Sequence, residues 1–277
     1  MTTQIFTPHT ILSHFYGLSE NIKGWKSSDD ERSKLFTKYI LPHHVNKAIL
    51  IRESSSQISG SAATMNNVLK KEGFESRINE LKPGEISLFS SLELVHKCTG
   101  EACVIRDASN SYSGVKIKTE FKTLRSTSKK IICFTQENGD EIYIATAEKK
   151  LSDFALLKKL KSIHNLANDE WLGINSVALP LINIKQRCSI DWLRGMMHPD
   201  NGTISSAFQK INFSLVRQKR SVKKPLTRTI RAPILKNELI VSKPFYIWIT
   251  RGGEAALPIL LAYIDVDSWK KSNSDID

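Results

Sequence analysis

The first periodic signal in the chain is helical. Ile11, Leu12, Phe15, Leu18 and Ile22 fall on one stripe after Thr7-Pro8, which predicts a helix over 8–22. Ser28-Asp-Asp-Glu31 has the spacing of a capping box and predicts a second helix running to Tyr39, with Leu35, Phe36 and Tyr39 on its buried side. Leu41-Pro42 ends it. From Val45 the pattern changes to short apolar or alternating runs. Val45–Arg52, Ile86–Val95, Ala102–Asp107, Val115–Phe121, Lys130–Thr135, Glu141–Thr146, Val177–Ile184 and Ile211–Val216 read as strands. Asn138-Gly139 marks a hairpin turn, and Lys82-Pro-Gly-Glu85 another turn. Met65 to Lys71 predicts one or two helical turns. One clear helix interrupts the strands, capped by Ser152, with Asp153 at its positive end and Leu156, Leu157, Leu160 and Ile163 as its buried face. Two apolar runs, Phe245–Ile249 and Pro258–Val266, flank Arg251-Gly-Gly-Glu254 and predict a terminal hairpin.

Many short strands separated by turns predict a mainly β protein: an antiparallel β-sandwich or jelly-roll-like core with flanking helices, α+β overall. The expected organisation is a helical segment over 1–42, a β-rich core over 43–217, a basic arm over 218–243 and a hairpin with a polar tail over 244–277. No internal repeat is visible.

Charge adds the most conspicuous feature. Of a formal net charge of +12, the stretch from Lys210 to Lys243 supplies +9, through ten Lys or Arg against the single acid Glu238. Such a block is solvated or faces a polyanion. Lys210, Arg217, Lys219, Arg220, Lys223, Lys224, Arg228 and Arg231 are therefore the candidate polyanion-binding residues, and charge outweighs stacking because aromatics only flank the arm.

The remaining chemistry is sparse. With 277 residues, 40% of them hydrophobic, the chain can bury a real core. Its first residues lack an apolar run of the signal-peptide kind, the longest apolar run is far too short to span a bilayer, and four cysteines make no disulfide framework. A reducing cytoplasmic setting is the expectation. No phosphate-binding glycine loop, no Gly-x-Ser-x-Gly and no His-Glu-x-x-His occurs. His96, Cys98 and Cys103 match no zinc spacing. Asp153 and His164 share a helix without a distinguishable nucleophile. Neither an enzyme nor a cofactor is expected.

Taken in order, the segments resemble the thirty-kilodalton superfamily of plant-virus cell-to-cell movement proteins. The resemblance lies in an Asp closing the strand Cys103–Asp107, then Ile142–Thr146, a helix opened by Asp153, Gly173, and a hydrophobic strand from Ser176. Lys38–Pro42 and Leu81–Leu88 resemble upstream parts of the same core, so the likeness covers roughly 34–190. It implies Asp107 and Gly173 as the family signature, both structural. It also implies a protein that binds single-stranded RNA or DNA without sequence preference and moves it through plasmodesmata. Host plasmodesmal proteins or membranes would be partners, with assembly into homo-oligomers or tubules.

A second expectation is a viral structural domain, matrix- or capsid-like, that self-assembles and binds polyanions. A third, weaker resemblance is to the serpin fold. Lys243-Pro-Phe-Tyr-Ile-Trp-Ile249 is similar to that fold's C-terminal strand, but the chain is short for it and no small-residue hinge precedes a reactive loop.

Overall fold

The computed structural model describes residues 3–18, 24–42, 52–106, 110–118, 121–126, 129–136, 138–165, 168–169, 174–218, 238–251 and 257–272. In chain order the elements are β1 (Gln4–Phe6), α1 (Pro8–Leu18), α2 (Glu31–Tyr39), β2 (Ser54–Ser59), α3 (Ala62–Lys71), β3 (Glu85–Thr99), β4 (Glu101–Arg106) and β5 (Ser111–Ile117). There follow β6 (Lys122–Ser126), β7 (Lys129–Thr135), β8 (Glu141–Thr146), α4 (Asp153–Asn165), β9 (Asn168–Asp169), β10 (Ser176–Pro180) and β11 (Ile182–Ser189). The chain closes with β12 (Met197–His198), β13 (Gly202–Gln218), β14 (Glu238–Ile240), β15 (Phe245–Thr250) and β16 (Leu260–Ile264).

The helices sit where periodicity places them. In α1, Ile11, Leu12 and Phe15 are buried; in α4, Leu156, Leu157 and Leu160 are. In α2 the cap is Asp30, which accepts from the Arg32 amide at 2.7 Å, and Phe36 is buried while Tyr39 stands 45% exposed. A nine-residue helix buries a narrow stripe, and Ser33 takes the position beside Phe36 that Tyr39 was expected to fill.

The described strands form three sheets rather than the two faces of a sandwich. One runs β1-β16-β15-β8-β7-β6-β9, a second β14-β10-β5-β4, and a third β11-β13-β3-β2. The jelly-roll expectation fails for two reasons. First, the strands taken as a terminal hairpin lie inside the seven-stranded sheet, where β15 pairs with both β8 and β16. Both faces of that sheet are covered. Tyr246 and Trp248 enter one core beneath α1, α2 and α4, whereas Phe245, Ile247 and Ile249 enter the core shared with the other sheets. A strand buried on both faces reads as a continuous apolar run, which is what Phe245–Ile249 is. Second, β13 pairs with β3 in parallel from Thr203↔Glu85 to Gln218↔Thr99. Partners so distant in sequence leave no local mark.

The run Val177–Ile184 divides at Leu181. Residues before it pair with β5 and those after it with β13, so one apolar stretch serves two sheets. The segment 45–52 lies largely outside the described residues.

β13 begins at a tight contact. Gly202 has φ +85° and sits against the Gly84 carbonyl, which accepts from the Thr203 amide at 2.8 Å. A Cβ at Gly202 would overlap that carbonyl oxygen, whereas Gly139, at φ +83°, faces open space. Gly139→Ala is therefore expected to cost about 1–2 kcal/mol from the left-handed backbone alone. Gly202→Ala is expected to cost about twice that or more, because the start of the β3–β13 pairing must also shift. Urea unfolding of the two variants side by side checks the ratio.

Candidate functional site

The long strand pair β3–β13 organises the most distinctive region. Leu92, Leu94, Ile211, Phe213 and Leu215 from the two strands are all buried in the core beneath it. On the other face Phe89 and Phe208 are covered by Met65 and Leu69 of α3. Polar groups line the seam as well. Gln209 Nε2 donates to Ser90 Oγ at 3.2 Å, and the Ser87 and Ser206 hydroxyls are 2.8 Å apart. β13 ends at Gln218 beside Thr99, and the chain is next described at β14, in a different sheet, parallel to β10. Residues 219–237 thus join the end of one sheet to the edge of another. They hold seven Lys or Arg and no acid.

The candidate residues divide accordingly. Lys210 is part of β13 rather than of an arm, and its ammonium donates to Glu72 Oε2 at 2.8 Å. Arg217 is the penultimate residue of β13. Lys219, Arg220, Lys223, Lys224, Arg228 and Arg231 lie outside the described residues, as do Asp107 and Gly173. His96, Cys98 and Cys103 do not converge. His96 faces Asp140 and Cys103 packs towards Gly114, and among the described residues no three metal-ligating side chains come together. Asp153 pairs with Arg32 at 3.7 Å, and its carboxyl is pushed up by burial.

An ionic cluster that sequence reasoning missed lies beside the seam. The Arg251 guanidinium donates to Asp140 at 2.6 and 3.0 Å and to Glu53 at 3.1 and 3.2 Å. Asp140 is wholly buried and is also held by Asn138 Nδ2 at 2.8 Å. Burial would push the Glu53 carboxyl up, but Arg251 holds it below the ordinary range. The Asp140 bonds, with those from Glu53, raise Arg251 further above its already high value. His96 stands 4.0 Å from Asp140 with Nε2 unpartnered; burial lowers its pKa although Asp140 pulls the other way. The three charged partners come from positions 53, 140 and 251, so no local motif announces them.

Beneath the sheet, α1 carries a second buried polar group. His14 is wholly buried with neither ring nitrogen partnered, and the hydroxyls of Thr7 and Thr10 and His9 Nδ1 are also unpartnered. Burial drives His14 down to about 3 and lowers His9, with Arg251 adding to the latter.

The comparisons address this architecture. No protein-family model matches the chain, and no curated protein sequence is detectably similar. Solved structures are. Mouse protein-Z dependent protease inhibitor superposes with a TM-score of 0.57 at 11% identity, over 95% of this chain and 91% of that one. Serpin48, a highly specific serpin of the insect Tenebrio molitor, gives 0.57 at 12% identity over 95% and 92%. Native protease nexin-1 with heparin gives 0.56 at 12% identity over 95% and 92%.

The fold is that of the serpins.

This overturns the movement-protein resemblance and the capsid-like alternative. The ordered pattern that carried the first is spread across separate sheets: β4 and β10 belong to one, β8 to another. Strand–helix–strand order within one chain does not fix which strands share a sheet. With that family go single-stranded RNA or DNA, plasmodesmal partners and tubules as expectations. The similar structures are named for a protease inhibitor, a serpin and a protease nexin with heparin, none of them a nucleic-acid carrier by name. A non-enzymatic reading agrees with such a fold. The length argument against it fails as well, because the chain covers nine-tenths of its longer neighbours.

Two outcomes follow from the buried charges. Arg251→Ala leaves Asp140 buried without its cation and is expected to cost about 3–5 kcal/mol in urea unfolding. Adding Asp140→Asn is expected to recover part of that loss. For His14 the folded pKa lies below the unfolded value near 6.5, so the unfolded state binds the extra proton. Its contribution to stability is full above pH 6.5 and falls by about 1.4 kcal/mol per pH unit as the pH drops from there towards 3. Equilibrium unfolding between pH 7.5 and 4 should show this slope steepened by His9 and His96, and His14→Leu should flatten it.

Proposed function

We propose that this chain is a protease-binding protein of serpin fold that offers residues 219–237 to a trypsin-like serine protease. It does so as a cleavable or reversibly bound ligand, without adding that segment to its own sheet. The fold supports protease engagement, since one of its structural neighbours is named a protease inhibitor. The segment supports the protease class: seven cations and no acid match an S1 pocket with an acidic floor.

In serpins the reactive loop can insert into the neighbouring sheet as an extra strand. Here such a strand would enter between β13 and β3, with every second residue facing Leu92, Leu94, Ile211 and Phe213. In one phase the inward residues are Lys219, Ser221, Lys223, Pro225 and Thr227; in the other they are Arg220, Val222, Lys224, Leu226 and Arg228. Either phase buries at least two cations with no acid in the segment to pair them. Each buried unpaired charge costs several kcal/mol, more than a ladder hydrogen bond of about 1 kcal/mol returns. In the first phase Pro225 faces inward, and in both it lacks the N–H that a central strand needs. The presence of cations in both phases is the observation that carries the proposal.

Incubation with an equimolar amount of trypsin tests it. The expected result is cleavage within 219–236, no adduct resistant to denaturing electrophoresis, and little change in Tm of the cleaved protein. A stable covalent adduct, or a large rise in Tm on cleavage, would show insertion and overturn the non-inserting mode. An intact segment after prolonged exposure would remove the protease reading.

A further inference from the structure

Asn-Gly occurs twice in the chain, at 138–139 and at 201–202. Glycine has no Cβ, so its backbone nitrogen can swing onto the carboxamide carbon of the asparagine before it. The two copies sit in opposite surroundings. Asn138 and Gly139 are both exposed in the turn between β7 and β8, and a Cβ at Gly139 would meet nothing within 4 Å. Gly202 instead presses against the Gly84 carbonyl, and Asn201 is half-buried with its Nδ2 3.0 Å from His198 Nδ1.

Asn138 also reaches the buried ions. Its Nδ2 donates to Asp140 Oδ2 at 2.8 Å, and its Oδ1 accepts from the Asp140 amide at 3.1 Å. Asp140 is in turn bridged through Arg251 to Glu53. Glu53 precedes β2 of the third sheet, whereas Asp140 and Arg251 flank β8 and β15 of the seven-stranded sheet. The carboxamide of Asn138 is thus an exposed group on which a buried tie between two sheets depends. Its two bonds, with that from the Gly139 amide to the Gln136 carbonyl at 2.9 Å, hold the closed turn out of the reacting geometry. Ring closure therefore needs the turn to open. An exposed hairpin tip opens locally at small cost, whereas opening at 201–202 must also pull β13 off Gly84.

We propose that Asn138 is a site of spontaneous deamidation by water, and that its product loosens the Arg251 cluster. In the first step the Gly139 nitrogen bonds to Asn138 Cγ, the Cγ–Nδ2 bond breaks, and ammonia leaves with the Gly139 amide proton. The result is a five-membered succinimide. Water then opens the ring at one carbonyl or the other and leaves aspartate or isoaspartate at position 138. The new carboxylate stands where a donor to Asp140 stood. An ionised carboxyl cannot donate, and it repels the buried charge beside it. The proposal is independent of whether residues 219–237 engage a protease.

The test ages the full chain at mildly alkaline pH and follows both Asn-Gly sites by peptide mass mapping. The folded chain is expected to convert Asn138 at least tenfold faster than Asn201, with the Tm of the aged sample falling as conversion proceeds. In urea-unfolded chain the two rates should converge, because the sequence at the reacting bond is the same. Asn138→Asp is expected to have a lower Tm than Asn138→Ala, since alanine removes the donor without adding a charge. Equal rates at the two sites in the folded chain, a gap that persists undiminished in urea, or an Asn138→Asp variant at least as stable as Asn138→Ala would each overturn the proposal.

Discussion

The parallel register of β13 on β3 is the constraint on which the rest of the molecule depends. Parallel neighbours cannot be joined by a tight turn, so the chain between them must travel. In that interval it lays down β4 and β5 of one sheet, β6 to β8 of another, and α4. The full-length pairing sets the end of β13 beside the end of β3, and thereby fixes where residues 219–237 leave the sheet.

Much of the local structure was legible, and the reasons are specific. Ile11, Leu12 and Phe15 in α1, and Leu156, Leu157 and Leu160 in α4, repeat at helical spacing because a single face of each helix is buried. The strands β7 and β8 show through their hairpin turn. What stayed hidden is how strands are shared among sheets. Leu181 is an apolar residue within an apolar run, and nothing in its neighbours says that the chain changes sheets there. Phe245–Ile249 reads as an apolar run, but the run does not say whether its partners are one strand or two. Lys210 counts as part of a basic stretch in sequence, yet the pleat places it opposite Glu72, where it is an internal ion pair. The Arg251 cluster joins three positions with about a hundred residues between neighbours, beyond any motif.

The basic stretch was legible as chemistry and misleading as identity. Its charge is real, and polyanion binding is a common use of such a run. The same residues take on another meaning beside a serpin seam, where a segment's ability to become a strand depends on which side chains alternate inward. Fold supplies the geometry against which charge must be judged; neither determines function without the other.

The pairing of β1 with β16 joins Gln4, Ile5 and Phe6 to Tyr263, Ala262 and Leu261, so strands far apart in sequence meet at a sheet edge. The first strand can find its partner only after β16 has left the ribosome. Arg251 likewise reaches Asp140 long after Asp140 has been made. Contacts this remote in sequence are slow to form, since loop closure must precede the interactions that reward it. The seven-stranded sheet is therefore completed only once β15 and β16 have emerged. Until then the apolar strand β8 lacks its β15 neighbour, and the nascent chain depends on something else to cover it.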